Sequence, residues 1–181
     1  MTARNALFVL VALATFVADQ VTKAWVVANV ALAGGQIPLV DGWVSMVHRQ
    51  NSGAAFGTLT TLPYRQVLFG FFTLVAFAVI VDVVRRLPDD NRGLVATCGL
   101  LLGGAAGNAV DRLRHGYVTD FIRLHVDLEP ARSWFVGLFG AAELPSFNLS
   151  DAAIVAGMGL FIVLFVRLRE DEELDVDEDA A

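Results

Sequence analysis

Residues 66 to 84 read QVLFGFFTLVAFAVIVDVV, an apolar run interrupted by one charged side chain, Asp82. Its length matches the roughly 20 residues that carry an α-helix across the hydrocarbon core of a bilayer. Three more stretches share this character: about Ala6 to Val27, about Gly93 to Leu113, and Ala152 to Leu168, AAIVAGMGLFIVLFVRL. Hydrocarbon offers backbone amides no partners outside their own segment, so such stretches are expected as α-helices packed on one another. The expected fold is an all-α membrane protein, a four-transmembrane-helix bundle with a small β-rich extracytoplasmic element.

The composition agrees. The 181 residues are 56% hydrophobic and 18% charged, with a mean hydropathy of +0.60, too apolar for an ordinary water-soluble domain. A single Cys excludes an intramolecular disulfide framework, and a formal net charge of -6 argues against a nucleic-acid partner. Eight of the 19 acidic residues crowd into positions 170 to 179, where there is no Lys or Arg, so the rest of the chain is near neutral. We therefore expect a membrane-embedded domain over residues 1–169 and an acidic, disordered cytoplasmic tail over 170–181.

Arg4 followed by an apolar run also suits a signal peptide, but apolar character resumes beyond Asp19 to Val27, which favours a retained span. Arg85, Arg86 and Arg92 crowd the short second connection, and Arg4, Arg167 and Arg169 lie at the ends. Six other arginines are spread through longer connections on the opposite side. Density in the short loop places both termini in the cytoplasm. On the third span, Gly99, Gly103 and Gly107 recur every four residues and share one face, a signal for close helix packing. Cys98 beside them reads as a small buried residue.

On the outer side, Ile37–Val40, Asp41-Gly42 and Trp43–His48 read as a β-hairpin with a tight turn. Between Val118 and Val126, apolar and polar positions alternate, and Asp120 falls on the apolar side, where desolvation raises a carboxyl pKa. Trp134, Phe135, Val136, Leu138 and Phe139 form an aromatic-rich patch suited to the lipid interface.

Several polar residues sit at one membrane level under this topology. Asp19 and Lys23 are four apart on the first span; Asn108, Asp111 and Arg112 lie at the outer end of the third; Asn148 and Asp151 begin the fourth; Asn51 lies in the first outer connection. Ionisable groups at such depth are costly and point to a functional site. Each has a quieter reading: Asp19–Lys23 as a structural ion pair, Asp111–Arg112 as a helix-end anchor, Asn148 or Asp151 as a helix cap. His48, His115 and His125 show no zinc spacing, so neither a metal nor another cofactor is expected. What remains is two carboxylates, Asp120 and Asp151. Held close, they cannot both ionise easily; one keeps a proton while the other takes one from water, the equipment of metal-free amide hydrolysis.

The chain resembles the lipoprotein signal peptidase (signal peptidase II) family of bacterial membrane aspartyl peptidases. The resemblance rests on Asp19-Gln20-Val-Thr-Lys23, Asn51-Ser-Gly53-Ala-Ala-Phe56, Gly103-Gly-Ala-Ala-Gly107-Asn108-Ala-Val-Asp111-Arg112, Gly116-Tyr-Val-Thr-Asp120-Phe121-Ile122 and Phe147-Asn148-Leu-Ser-Asp151, in the family's order. It implies cleavage of diacylglyceryl-modified prolipoproteins just before the lipobox Cys, in the bacterial cytoplasmic (inner) membrane, among membrane lipids. It also implies that Asp120 and Asp151 are catalytic, that Asn51, Asn108, Arg112 and Asn148 line and orient the site, and that Asp19, Lys23 and Asp111 support it. Sensitivity to a globomycin-type inhibitor is implied too. Ser150 stands where the family usually has Ala, and the 127–146 segment is longer than usual. Rival readings are a Ser/Lys peptidase using Ser52 or Ser150 with Lys23, and a proton-coupled transporter using the same carboxylates.

Overall fold

The computed structural model describes residues 2–53, 64–88 and 91–179, with side chains described as far as residue 168. Ala54 to Phe56, part of one quoted motif, and the side chains of the acidic tail lie outside the described residues. The backbone of residues 170–179 is helical. The chain order is α1 (Ala3–Asn29), β1 (Gln36–Val40), β2 (Val44–Asn51), α2 (Arg65–Arg86), α3 (Arg92–His115), β3 (Val118–Leu124), α4 (Ala131–Phe139) and α5 (Leu149–Asp179). Helices α1, α2, α3 and the Leu149–Leu168 part of α5 are long and apolar enough to span a membrane. The protein is a mostly helical multi-pass membrane protein with a three-stranded sheet.

Helix α3 is the centre of the bundle, packed against α1, α2 and α5. Its glycines permit this. A Cβ added at Gly103 would lie 2.5 Å from the Ala12 carbonyl oxygen of α1, and one added at Gly104 would lie 2.7 Å from the Ser150 carbonyl oxygen of α5. The four-residue stripe thus lets the α1 backbone approach, and the neighbouring Gly104 does the same for α5. At one end of the bundle, Val84, Leu87, Leu94, Val95 and Cys98 form a buried cluster, and the Arg4 guanidinium donates to the Leu87 carbonyl at 2.7 Å.

At the other end sits the antiparallel sheet, in order β1-β2-β3. The expected hairpin is present: Gly42 takes the positive φ (75°) that the turn demands, and the Trp43 amide donates to the Val40 carbonyl. Val26 and Val30, at the end of α1, pack with Phe121 of β3 and fasten the sheet to the bundle. Burial in β3 departs from simple alternation. Val118, Thr119, Asp120 and Phe121 are all buried, because the strand's start is covered by helices on one side and by residues 147–151 on the other. After β3 the chain returns antiparallel to it, with Leu144 donating to Leu124 and Phe147 exchanging bonds with Ile122. The aromatic-rich patch forms the short helix α4, with Trp134, Leu138 and Phe139 exposed.

Ala at Gly159, a position with nothing within 4 Å, gains helix propensity and is expected to leave the thermal midpoint in detergent unchanged or raise it slightly. Gly103→Ala forces α1 away and should cost about 1–3 kcal/mol by overpacking. Equal midpoints for the two variants would contradict the packing described.

Candidate active site

The site is assembled from the start of α5. Asn148 is the residue before the helix; its Oδ1 accepts from the Asp151 amide (2.9 Å), while Asp151 Oδ2 accepts from the Asn148 amide (3.2 Å). This reciprocal pair is a capping box, which satisfies two otherwise orphaned groups at a helix N-terminus. The capping reading of these residues is therefore correct, and it does not compete with a chemical role. The remaining Asp151 oxygen, Oδ1, accepts from Asn108 Nδ2 of α3 at 2.8 Å.

Asn108 is held in turn. Its Oδ1 accepts from Lys23 Nζ (3.1 Å) and from Asn148 Nδ2 (3.2 Å), which leaves its amide nitrogen for Asp151. Lys23 also contacts Asp19 Oδ2 at 2.8 Å and Asp111 Oδ2 at 3.0 Å. Asp19 reaches further, accepting from the Ser150 amide in α5 (2.9 Å), and Asp111 accepts from the Thr119 amide at the start of β3 (3.1 Å). Gln20, part of a quoted motif but given no role from sequence, donates to Asp111 Oδ1 at 3.0 Å.

Asp120 arrives from the sheet. Its Oδ1 accepts from Asn148 Nδ2 (2.8 Å) and its Oδ2 from Asn51 Nδ2 at the end of β2 (3.0 Å). Only 3% exposed, it is pushed up to about 6 first by burial. The Asn51 bond opposes that rise, the nearby Asp151 carboxylate adds to it, and Asn148 and Lys23 oppose it again. Asp120, Asp151, Asn51 and Arg112 line one open cleft of about 1110 Å³. Apolar side chains form much of its remaining wall, among them Leu138 and Phe139 of α4 and Ile154 and Val155 of α5.

Two pairings differ from expectation. Asp111 turns to Lys23 and not to its neighbour Arg112, since adjacent helix residues point to different faces. The Arg112 guanidinium instead lies 4.4 Å from the Phe69 ring centroid of α2, a cation–π contact, and donates to the Asn108 carbonyl at 3.4 Å. Ser150 is fully buried between α1, α3 and α5, and its hydroxyl has no partner among the described residues. Lys23 spends its three protons on Asp19, Asp111 and Asn108, an arrangement that does not favour a Ser150–Lys23 nucleophile.

Ser45, His125 and Asp127 stand in the order of a hydrolytic triad, with Ser45 Oγ 2.8 Å from His125 Nε2. Nδ1 lies 3.0 Å from the Asp127 carboxylate but outside hydrogen-bond alignment, and Ser45 is 1% exposed, so no substrate reaches it. Sequence reasoning also passed over Glu143, which lines the cleft and bridges Arg123 (Nε to Oε2, 2.6 Å) and Arg49 (Nη2 to Oε1, 3.3 Å). Its position depends on the return of the chain along β3, which no local pattern announces.

Comparison with known proteins gives a consistent result. The family model described as Signal peptidase (SPase) II matches residues 11–167. The lipoprotein signal peptidase of Geobacter metallireducens is 35% identical over 161 residues, 89% of this chain and 91% of that protein. That of Shouchella clausii is 34% identical over 154 residues, 85% and 89% of the two chains. A bacterial membrane enzyme solved by the in meso method at 2.3 Å has a similar fold, with TM-score 0.72 and 23% identity over 88% of this chain and 87% of that one.

Two outcomes are expected from this geometry. Folded Asp120 holds its proton to about pH 6, whereas the unfolded group releases it near 3.8, so its burial disfavours folding increasingly as pH rises through that interval. Relative to Asp120→Asn, the wild type should lose up to about 3 kcal/mol between pH 3.5 and 7.5, read from paired thermal unfolding curves. A gap independent of pH would refute the raised carboxyl. Ser150→Ala removes a buried hydroxyl without a partner among the described residues and should raise the unfolding free energy by about 1–3 kcal/mol, read as a higher thermal midpoint.

Proposed function

The chain belongs to the signal peptidase II family, whose lipoprotein signal peptidases remove signal peptides from lipoproteins, and on that footing we propose that it is a membrane aspartyl endopeptidase. Its substrate is a diacylglyceryl-modified prolipoprotein cut just before the lipobox Cys. The observation that carries this reading is Asn148: one residue bonded to both Asp120 and Asp151, in a single open cleft.

A water held between the two carboxyls attacks the scissile carbonyl. Asp151, with N–H donors on both oxygens, acts as the general base and takes a proton from that water. Asp120, whose burial keeps a proton on it to about pH 6, donates to the developing oxyanion. The tetrahedral intermediate collapses as the proton held by Asp151 passes to the leaving amine and the C–N bond breaks. Asp120 regains its proton from the re-forming carbonyl side, and both groups return to their starting state. Asn51, Asn108 and Asn148 hold the two carboxyls in place and stop them from turning away as charge moves.

The surroundings suit this substrate. Leu138, Phe139, Ile154 and Val155 give acyl chains and a signal helix an apolar wall, while Arg112 supplies a cation at the cleft that can orient the substrate backbone. The enzyme works in the bacterial cytoplasmic membrane with both termini inside and the cleft at the outer face, and is sensitive to a globomycin-type inhibitor. The 1–169 portion is the peptidase domain and the acidic 170–181 portion a cytoplasmic appendage.

The test is cleavage of a diacylglyceryl-modified lipobox peptide by purified protein in detergent with a chelator present. Wild type should cleave, and Asp120→Asn and Asp151→Asn, each folded, should lose more than about a hundredfold in kcat/KM. Near-normal activity in either variant would remove that residue from the dyad. Uptake driven by a pH gradient in proteoliposomes, without cleavage, would favour the transporter instead.

A further inference from the structure

A second hollow, of about 310 Å³, lies apart from the cleft, between the loop that leaves α1 and the outer part of the sheet. Ala33, Gly34 and Gly35 border it on the loop side, and Gln36, His48, Arg49 and Arg123 on the strand side. Its electrostatics are lopsided. Arg49 and Arg123 share a single carboxylate, Glu143, so the group carries one positive charge in excess. Arg123 is held rigidly, with Nε on Glu143 and Nη1 on Gln36 Oε1 at 2.9 Å, while Arg49 stays about half exposed at the rim.

His48 adds an independent observation. The side chain is 7% exposed; Nδ1 lies 3.0 Å from the Val30 carbonyl, so Nδ1 carries the proton, and the buried Nε2 has no partner among the described residues. With the proton on Nδ1, Nε2 is an acceptor, and a buried acceptor without a donor points to a missing O–H or N–H group, such as a water or a headgroup hydroxyl beside the phosphate. The loop itself bends at Ala33 with a left-handed φ of 57°.

The position in the membrane identifies the anion. Helix α1 ends at Asn29, and Trp25 and Trp43 are exposed near this level, as aromatic side chains are where headgroups begin. Phosphate is the anion abundant there, and guanidinium forks match its oxygens bidentately. We propose that this hollow binds the phosphate of a phospholipid headgroup. A bound phosphate draws Arg49, which meets Glu143 only at 3.3 Å, partly away from that carboxylate; Glu143 lines the catalytic cleft, so lipid occupancy and cleft shape are linked through it. The proposal rests on the membrane location of the chain and not on its peptidase chemistry.

The test uses the full chain in a phosphorus-free detergent, titrated with dihexanoyl phosphatidylglycerol, dihexanoylglycerol or inorganic phosphate, with the thermal unfolding midpoint as readout. The phospholipid should raise the wild-type midpoint saturably, and Arg49→Gln, a change at the exposed rim, should raise half-saturation at least tenfold. Equal stabilisation by phosphate-free dihexanoylglycerol, or an unchanged half-saturation in Arg49→Gln, would overturn the site. Equal stabilisation by inorganic phosphate at the same concentration would overturn the headgroup as its source. Phosphorus NMR of the lipid with wild type alone gives a second reading: saturable line broadening supports the site, and an unperturbed line refutes it.

Discussion

One ammonium group organises the polar part of this protein. Lys23 has three protons and gives them to Asp19, Asp111 and Asn108, which joins α1 to α3 at a level where water is scarce. A buried charge is tolerable only when its partners are in place, and removing one partner typically costs about 3–5 kcal/mol. The consequence extends beyond stability. With Asn108 Oδ1 occupied by Lys23 and Asn148, the Asn108 amide nitrogen can face only Asp151. Donor and acceptor arithmetic thus carries the orientation of α1 across α3 to a carboxylate on α5.

The apolar packing makes that arithmetic possible. Hydrogen bonds near 3 Å between three helices require backbones closer than most side chains allow, and the α3 glycines supply the clearance toward α1 and α5. At the outer end, Phe121 lodges with Val26 and Val30, and the Thr119 amide donates to Asp111. These contacts seat the first residues of β3 against the bundle, so Asp120 is delivered by a strand pinned at both its neighbours. Asp120 on a strand and Asp151 on a helix are tied through Asn148 at the helix cap, so the two carboxyls keep a fixed relation.

Much of this was legible in the sequence because it depends on local pattern. Apolar length defines the spans, a four-residue glycine period defines the close face of α3, and Asp41-Gly42 defines the hairpin turn. The polar residues were identified as a set because each is expensive in a membrane. Their pairing was less legible. Asp111 choosing Lys23 over Arg112 depends on helix rotation, and Asn148 serving both as cap and as tether between the carboxyls depends on where β3 ends up. Glu143 was invisible because its partners lie on two other strands. The burial of Thr119 and Phe121 overrode alternation because β3 is covered on both faces, a property of tertiary packing that a period of two cannot encode.

The arrangement of Asp19 and Lys23 on a single helix also bears on biosynthesis. A chain made from its N-terminus presents α1 to the membrane before α3 or α5 has been synthesised. Asp111, Asn108 and the Ser150 amide are then absent, and an isolated charge on α1 would oppose insertion. Spacing of four residues lets Lys23 and Asp19 neutralise one another within α1 alone, as their 2.8 Å contact still shows in the assembled bundle. The pair is thus already matched in charge within α1, and Lys23 has protons left over for Asp111 and Asn108 of the helix that packs on it.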